Sequence, residues 1–235
     1  MSGDGRAADL ERRLGEVRER VAAACRAAGR DADEVTLVVV TKFFPASDVR
    51  VLADLGVRDV GENRHQEAEA KAEELADLSL RWHFIGGLQS NKAAAVAAYA
   101  DAVHSLDRAK LVGGLSRGAT GRGSDLDVLV QVSLDPPGAD GRSGAEPDQV
   151  GDLAARVAEA DGLVLRGVMG VAPLGGDPGE AFARLAEVAA DVRRDHPAAS
   201  WISAGMSGDL GEAIAHGATH LRIGSAVLGP RPGSK

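Results

Sequence analysis

Lys42 closes the run Val35 to Thr41 (VTLVVVT), a short and strongly β-branched segment. Strand alternation sets Lys42 on the face shared by Thr36, Val38 and Val40. A lysine that continues a line of valines is partly desolvated, and desolvation disfavours its charged form. A neutral ε-amine is a nucleophile that can condense with a carbonyl to a Schiff base. The plainer use of the same residue is a strand-end lysine whose stem covers apolar surface while its ammonium reaches water. Arg222 bears on the choice. In His220-Leu221-Arg222-Ile223-Gly224, the residues Leu221 and Ile223 share one face and leave Arg222 on the other. A buried guanidinium needs acceptors. Either an internal carboxylate such as Glu62 or a ligand would supply them.

Two short runs of small residues stand near Arg222 in the chain: Gly205-Met206-Ser207-Gly208-Asp209 and Gly224-Ser225. Small residues let backbone N–H groups approach an anion, and a helix N-terminus favours negative charge. Taken singly, each run reads equally well as ordinary turn glycine.

These residues have to be positioned by secondary structure, and the chain alternates apolar runs with amphipathic stretches. Leu10, Leu14, Val17 and Val21 recur at helical spacing and predict a first helix over Arg6 to Ala28, ending near Gly29. Strands are predicted at Val35–Thr41, Arg58–Gly61, Arg81–Ile85, Ala102–Ser105, Leu126–Ser133, Leu163–Val171, Ser200–Ser203 and Thr219–Ile223. Helices are predicted between them at Ala46–Leu55, Asn63–Leu78, Ser90–Tyr99, Asp107–Arg117, Pro147–Ala160, Pro178–Arg194 and Asp209–His216. Strict βα alternation implies right-handed crossovers and a parallel sheet. Eight units in 235 residues most simply close as a TIM-type (β/α)8 barrel with an extra N-terminal helix, one domain over 1–235. An open doubly wound sheet is the alternative. Gly118–Asp125, Asp135–Pro147 and Pro173–Gly179 read as loops.

In a barrel, function gathers at the C-terminal ends of the strands, and phosphate sites often follow strands seven and eight. Lys42 then ends the first strand, Glu62 and Asn63 follow the second, and the two small-residue runs follow the seventh and eighth. A Schiff-base lysine together with a phosphate site suggests pyridoxal phosphate. Other polar residues carry weaker signals. Ser90 is a candidate N-cap, which would place Lys92 in a first turn where the dipole disfavours a cation. His83, between Trp82 and Phe84, reads as a packed strand histidine. His65, His104, His196, His216 and His220 show no metal-ligand spacing, and Tyr99 reads as packing.

Composition narrows the classes further. Hydrophobic residues make 44% and charged residues 26%, an ordinary globular balance. No apolar run reaches the ~18 residues needed to cross a bilayer. Met1 to Arg6 leads into no apolar segment, so no secretory signal is expected. Cys25 is the single cysteine, which excludes an internal disulfide and a cysteine-cluster metal site and fits a cytoplasmic protein. Lys+Arg 27 against Asp+Glu 35 gives a net charge of −8, unsuited to general nucleic-acid binding, although a local basic pocket is compatible with it. Aromatics at 3% leave few rings for base stacking.

At these residues the sequence resembles the pyridoxal phosphate homeostasis proteins, single-domain relatives of the alanine racemase barrel. The segments that carry the resemblance are Val40-Thr41-Lys42, Gly61-Glu62-Asn63 with Gln66-Glu67, Trp82 to Gly86 with Leu88-Gln89-Ser90-Asn91-Lys92, Arg166-Gly167-Val168-Met169, Gly205-Met206-Ser207 and Arg222 to Ala226. The resemblance implies pyridoxal phosphate held as an internal aldimine on Lys42, with Arg222 facing the pyridine nitrogen. Ser207, Gly224 and Ser225 would hold the phosphate beside Met206, and Asn63 would line the ring pocket. There are departures. The family often has proline at Gly87, an aromatic at Arg64, threonine at Ser225 and a basic residue within Phe43-Phe44-Pro45. Serine keeps the hydroxyl at Ser225. Arg64 either alters the pocket rim or faces solvent.

Three functions follow for comparison. A cofactor-handling protein would bind pyridoxal phosphate and buffer it or deliver it, with pyridoxal phosphate-dependent apoenzymes as candidate recipients. An amino-acid racemase of the same barrel type would need an acid/base on each face of the substrate α-carbon. Lys42 can be one. In the racemases this sequence resembles, the other is a tyrosine presented with help from an added C-terminal β domain. Here the last residue, Lys235, comes soon after the last strand, and the one tyrosine, Tyr99, falls on a predicted helix. Arg222 cannot accept the pyridinium proton, so it favours a weaker electron sink. A phosphate-ligand barrel without pyridoxal is the third reading, disfavoured by the Lys42 match. The expectation is cofactor handling without dedicated catalysis, as a monomer.

Overall fold

The computed structural model describes residues 3–136 and 143–231. Eight strands pair in parallel in chain order: β1 (Thr36–Val40), β2 (Asp59–Glu62), β3 (Arg81–Phe84), β4 (Ala102–Leu106), β5 (Leu126–Gln131), β6 (Leu163–Met169), β7 (Trp201–Ser203) and β8 (His220–Ile223). β8 pairs back onto β1, with Val38 opposite Arg222 and Val39 opposite Ile223, so the sheet is a closed barrel and the open-sheet alternative falls. The helices are α1 (Gly3–Ala27), α2 (Ala46–Asp54), α3 (His65–Glu74), α4 (Ala93–Ala97), α5 (Val112–Arg122), α6 (Val150–Ala158), α7 (Pro178–Asp195), α8 (Leu210–Ala215) and a single turn, α9 (Ser225–Leu228).

The β-branched runs form strands because both faces are buried, as parallel sheets require. Val39, Val60, Leu221 and Ile223 join the apolar layer shared with the helices. Val38 and Val40 point the other way. A Cβ built on Gly61 would lie 3.1 Å from Val38 and 3.4 Å from Val40, across the interior. The expected strand bounds hold to within two residues.

Two helical expectations change. Ser90–Tyr99 splits into a 3₁₀ turn at Ser90–Lys92 and the short α4, and Ser90 makes no side-chain cap. Gly118 to Arg122, read as loop, is the last part of α5. Gly118, and Gly114 one turn before it, serve packing rather than turning. A Cβ at Gly118 would fall 2.3 Å from the Ala94 carbonyl oxygen, and one at Gly114 would fall 2.7 Å from Ala93 Cβ. Pro173–Gly179 is loop only as far as Asp177, whose side chain caps α7 by accepting from the Gly179 N–H. Of the third loop, residues 137–142 lie outside the described residues, as do Met1 and Ser2, where the leader question begins.

The N-terminal helix buries the stripe Leu10, Leu14, Val17, Val21 and Cys25. A fully buried leucine contributes about 1.5–3 kcal/mol, which fixes α1 firmly. Its polar face reaches both of the last two βα connections. Arg6 bonds Asp48 on α2 at 2.6 Å and the Leu228 carbonyl at 3.1 Å, and Arg20 donates to the Ser207 carbonyl at 2.7 Å. Among the described residues no helix is long and apolar enough to cross a membrane.

Candidate functional site

The chain leaves β1 through a tight turn that carries Lys42. Phe43 adopts φ 71°, a left-handed conformation rare for a bulky residue and costing about 1–3 kcal/mol. Three side chains hold the turn there. Glu67 Oε1 accepts the Phe43 N–H at 2.6 Å. Lys71 Nζ, itself buried, donates to the Thr41 carbonyl at 2.9 Å, to Glu62 Oε1 at 2.7 Å and to Glu67 Oε1 at 2.8 Å. Thr41 Oγ1 donates to the same Glu62 oxygen at 2.6 Å. Burial pushes the Glu62 carboxyl upward, against the hydrogen bonds from Lys71 and Thr41. Glu62 therefore faces α3 and braces the Lys42 turn. The expectation that it could neutralise Arg222 is overturned, because inward-facing Gly61 turns its neighbour Glu62 outward.

Lys42 itself is half-buried and lines a cavity of about 340 Å³ at the C-terminal mouth of the barrel. Burial lowers the pKa of its ammonium, helped by the nearby charges of Arg231 and Arg64 and opposed by Glu62. Met206, Ser207, Arg222, Gly224 and Ser225 line the same cavity, so the structure brings together six of the seven residues expected at the site. The charged residues among its described lining are Lys42, Arg222 and Arg231, with no carboxylate. Arg222 is 5% exposed and points inward, as strand alternation required. Its Nη1 donates to Ser203 Oγ at 2.6 Å and its Nη2 to the Gly170 carbonyl at 2.8 Å. Both acceptors are uncharged, and burial pushes the guanidinium down to about 10. Gly205 makes the loop after β7 possible. It has φ 90°, and a Cβ there would come within 2.6 Å of Ala213 Cβ. Its carbonyl accepts the Arg222 N–H at 2.9 Å, and Asp209 Oδ1 accepts the Met206 N–H at 2.6 Å. Two hydroxyls, three glycines and three cations around an apolar wall of Val40, Phe44 and Ile85 suit a small anion with an apolar body.

Asn63, the seventh expected residue, sits just beyond β2 and is not among the cavity lining. Its Oδ1 is buried without a hydrogen-bond partner in the protein. Arg64 is at the rim: its guanidinium lies 5.0 Å from the Phe43 ring centroid, with Lys42 Nζ 5.9 Å and Arg231 4.5 Å from the same ring. Lys92 lies in the turn before α4 and does not line the cavity. Tyr99, stacked on His65 at 5.9 Å, lies beyond the end of α4; burial pushes its hydroxyl pKa up and away from base chemistry. Among the described residues no group of three or more His, Cys, Asp or Glu could hold a metal ion. The brace of Lys71 and Glu67 escaped the sequence reading. The signal available was their i, i+4 spacing on α3, beside a strand-end lysine.

Residues 12–232 match the model of the alanine racemase N-terminal domain. A pyridoxal phosphate homeostasis protein of Mycobacterium tuberculosis is 44% identical over 243 residues, covering 96% of this chain and 94% of the relative. One from Escherichia coli K12 is 37% identical over 237 residues, covering 97% and 99%. PipY of Synechococcus elongatus, solved with PLP bound, is 33% identical with a TM-score of 0.81, covering 94% of this chain and all of that one (100%). The chain belongs to the pyridoxal phosphate homeostasis protein family, built on the alanine racemase N-terminal barrel.

Proposed function

We propose that this protein binds pyridoxal phosphate and serves its homeostasis, holding the cofactor as a Schiff base on Lys42 and buffering or delivering it. The observation that carries this reading is a half-buried lysine of lowered pKa in a cavity whose described lining holds cations and hydroxyls but no carboxylate. The names of the relatives and the PLP-bound PipY structure support it. The cofactor supplies an aldehyde for an amine to attack and an electron-withdrawing ring. Lys42 Nζ, neutral at lower pH than an ordinary lysine, would be the amine that condenses with that aldehyde, with loss of one water. Ser207, Gly224 and Ser225 would take the phosphate, with Met206 beside them. Arg222 would donate to the ring nitrogen, and Asn63 would meet the ring's edge through its unpartnered oxygen. The working unit we propose is one barrel over 1–235, monomeric and cytoplasmic, with pyridoxal phosphate-dependent apoenzymes as recipients.

Racemase chemistry is the competing reading. Arg222 argues against an efficient one, since a guanidinium donor keeps the ring nitrogen unprotonated and slows α-proton loss. Arg222→Glu offers a carboxylate in its place, at a cost of about 1–3 kcal/mol for the donors lost. Provided it still loads, the variant is expected to exchange amino-acid α-protons with solvent faster than the parent, measured by deuterium incorporation. The parent is expected to show little racemisation. Turnover by the parent at about 1 s⁻¹ or more would restore the racemase.

A further inference from the structure

A line of polar side chains runs through the barrel interior from its N-terminal end to Arg222. Asp59 opens β2 at that end, its side chain one-fifth exposed (20%). Its Oδ1 lies 2.9 Å from His83 Nε2. His83 Nδ1 lies 2.9 Å from His104 Nε2, and His104 Nδ1 lies 2.8 Å from Ser203 Oγ. Ser203 Oγ accepts from Arg222 Nη1 at 2.6 Å. His83, His104 and Ser203 are all but inaccessible, at 1%, 0% and 0%. With Asp59 they come from four different strands, so the line exists only in the closed barrel.

The proton positions along this line follow from donor arithmetic. Arg222 can only donate. Ser203 accepts from it and has one proton of its own, which goes to His104 Nδ1. His104 then carries its ring proton on Nε2 and donates to His83 Nδ1. His83 in turn carries its proton on Nε2 and donates to the Asp59 carboxylate. Every contact is satisfied with both rings neutral, one positive charge at the mouth and one negative charge at the other end. The reverse direction gives Ser203 two donors and needs either a second proton on His83, which puts a charge on a buried ring, or a proton on Asp59, whose carboxyl is held below its usual range. Burial pushes His104 well down, reinforced by the charges of Arg222 and Arg81. His220, whose ring centroid is 6.3 Å from both histidines, is pushed down by burial to about 3, so the ring beside the column is neutral too. Asp59 is held below the usual carboxylate range: burial alone would raise it, and the hydrogen bond from His83, with the nearby charge of Arg81, lowers it.

We propose that Asp59, His83, His104 and Ser203 form a one-directional hydrogen-bond column that positions Arg222, so that a carboxylate at the closed end sets donor orientation at the ligand end. Chains of hydrogen bonds polarise one another, so a change at Asp59 reaches Arg222 without touching it. None of the four lines the cavity, so each is a positioning residue. The effect on cofactor binding rests on the proposed function; the column itself does not.

The test has two readouts. In cofactor-free, ¹⁵N-histidine-labelled protein, NMR is expected to show His83 and His104 neutral at pH 7 with the proton on Nε2 in both. Asp59→Ala is expected to move the His104 signals, although the two residues are not in contact. In a spectral titration with pyridoxal phosphate, Asp59→Ala and Ser203→Ala are each expected to weaken binding about three- to tenfold, the worth of one net hydrogen bond. Asp127→Ala, which removes a partner of Arg81 and Arg166 but no member of the column, is expected to keep the parent affinity. A proton on Nδ1 of either ring, a doubly protonated His83, or His104 signals unmoved by Asp59→Ala would overturn the column. Parent affinity in both Asp59→Ala and Ser203→Ala would overturn its positioning role. Should Asp59→Ala fail to fold, the tautomers of the unaltered protein and the Ser203→Ala titration decide. Absence of any pyridoxal phosphate binding by the parent would sink the proposed function and leave the tautomer result standing.

Discussion

Both ends of the barrel carry arginines, and the two ends treat them differently. At the closed end Arg81 and Arg166 flank the Trp201 ring, 5.6 and 5.4 Å from its centroid. Both reach Asp127, Arg81 at 2.9 Å and Arg166 at 2.6 Å, and Arg81 also lies 3.9 Å from Asp59. Their countercharge is built in. At the open end Arg222 is bonded to a hydroxyl and a carbonyl, and shares with Lys42 a cavity with no carboxylate in its described lining. The arginines at the closed end are paired with a carboxylate of the protein, whereas Arg222 is bonded to uncharged partners and, under the proposed function, would donate to a bound ligand. That division matches the general habit of α/β barrels, with stability at the bottom face and chemistry at the top.

Variants that exchange these roles test the contrast. The largest expected effect is at the open end. Lys42→Ala should abolish covalent loading, read as complete loss of the visible band that pyridoxal phosphate gives with the parent, with the melting temperature little changed. A full band in the variant would break the contrast at once. At the closed end, Asp127→Ala leaves two arginines without their shared partner. Chemical denaturation should show a loss of about 2 kcal/mol, discounted because both arginines are partly exposed. A stability unchanged within error would mean that the closed-end network contributes nothing. Ser207→Ala should weaken pyridoxal phosphate about tenfold while leaving unphosphorylated pyridoxal nearly unaffected. Equal losses for the two ligands would remove the phosphate from that loop.

The smallest expected effect concerns charge at the rim. Burial, Arg231 and Arg64 all disfavour the Lys42 ammonium, so the amine loses its proton at lower pH than a free lysine. The rate of covalent loading should therefore rise with pH to a midpoint below the ordinary lysine value of 10.5. Arg64→Gln removes one of the two cationic contributions, which raises that midpoint and slows loading near neutrality by less than about threefold. Faster loading in the variant would contradict the sign.

The strands, the barrel and the pairing of Lys42 with Arg222 were legible because they rest on local alternation. Valines at Val38 and Val40 fix where Lys42 points, and Leu221 with Ile223 fix Arg222. What was illegible depends on registers between distant strands. His83 and His104 are 21 residues apart, and His104 and Ser203 are 99 apart, with shifts in register where β4 meets β5 and β5 meets β6. No spacing rule links such positions, so His83 read as a packed strand histidine and His104 only as a residue without metal-ligand spacing. Glu62 was misread for a related reason: its chemistry suited Arg222, but its strand parity points it at Lys71. The end of α5 from Gly118 read as loop because close helix packing, which Gly118 serves against Ala94, and turns call for the same residue.

Among the described residues lining the open-end cavity Lys42 is the one lysine, and its reaction there is the step on which the proposed function depends. It is tested most directly by loading the protein with pyridoxal phosphate, reducing with borohydride and mapping the modified peptide. The account expects one stoichiometric adduct on Lys42, absent in Lys42→Ala. A principal adduct on Lys92, Lys71 or another lysine, or no adduct from a protein that nonetheless binds the cofactor, would contradict it.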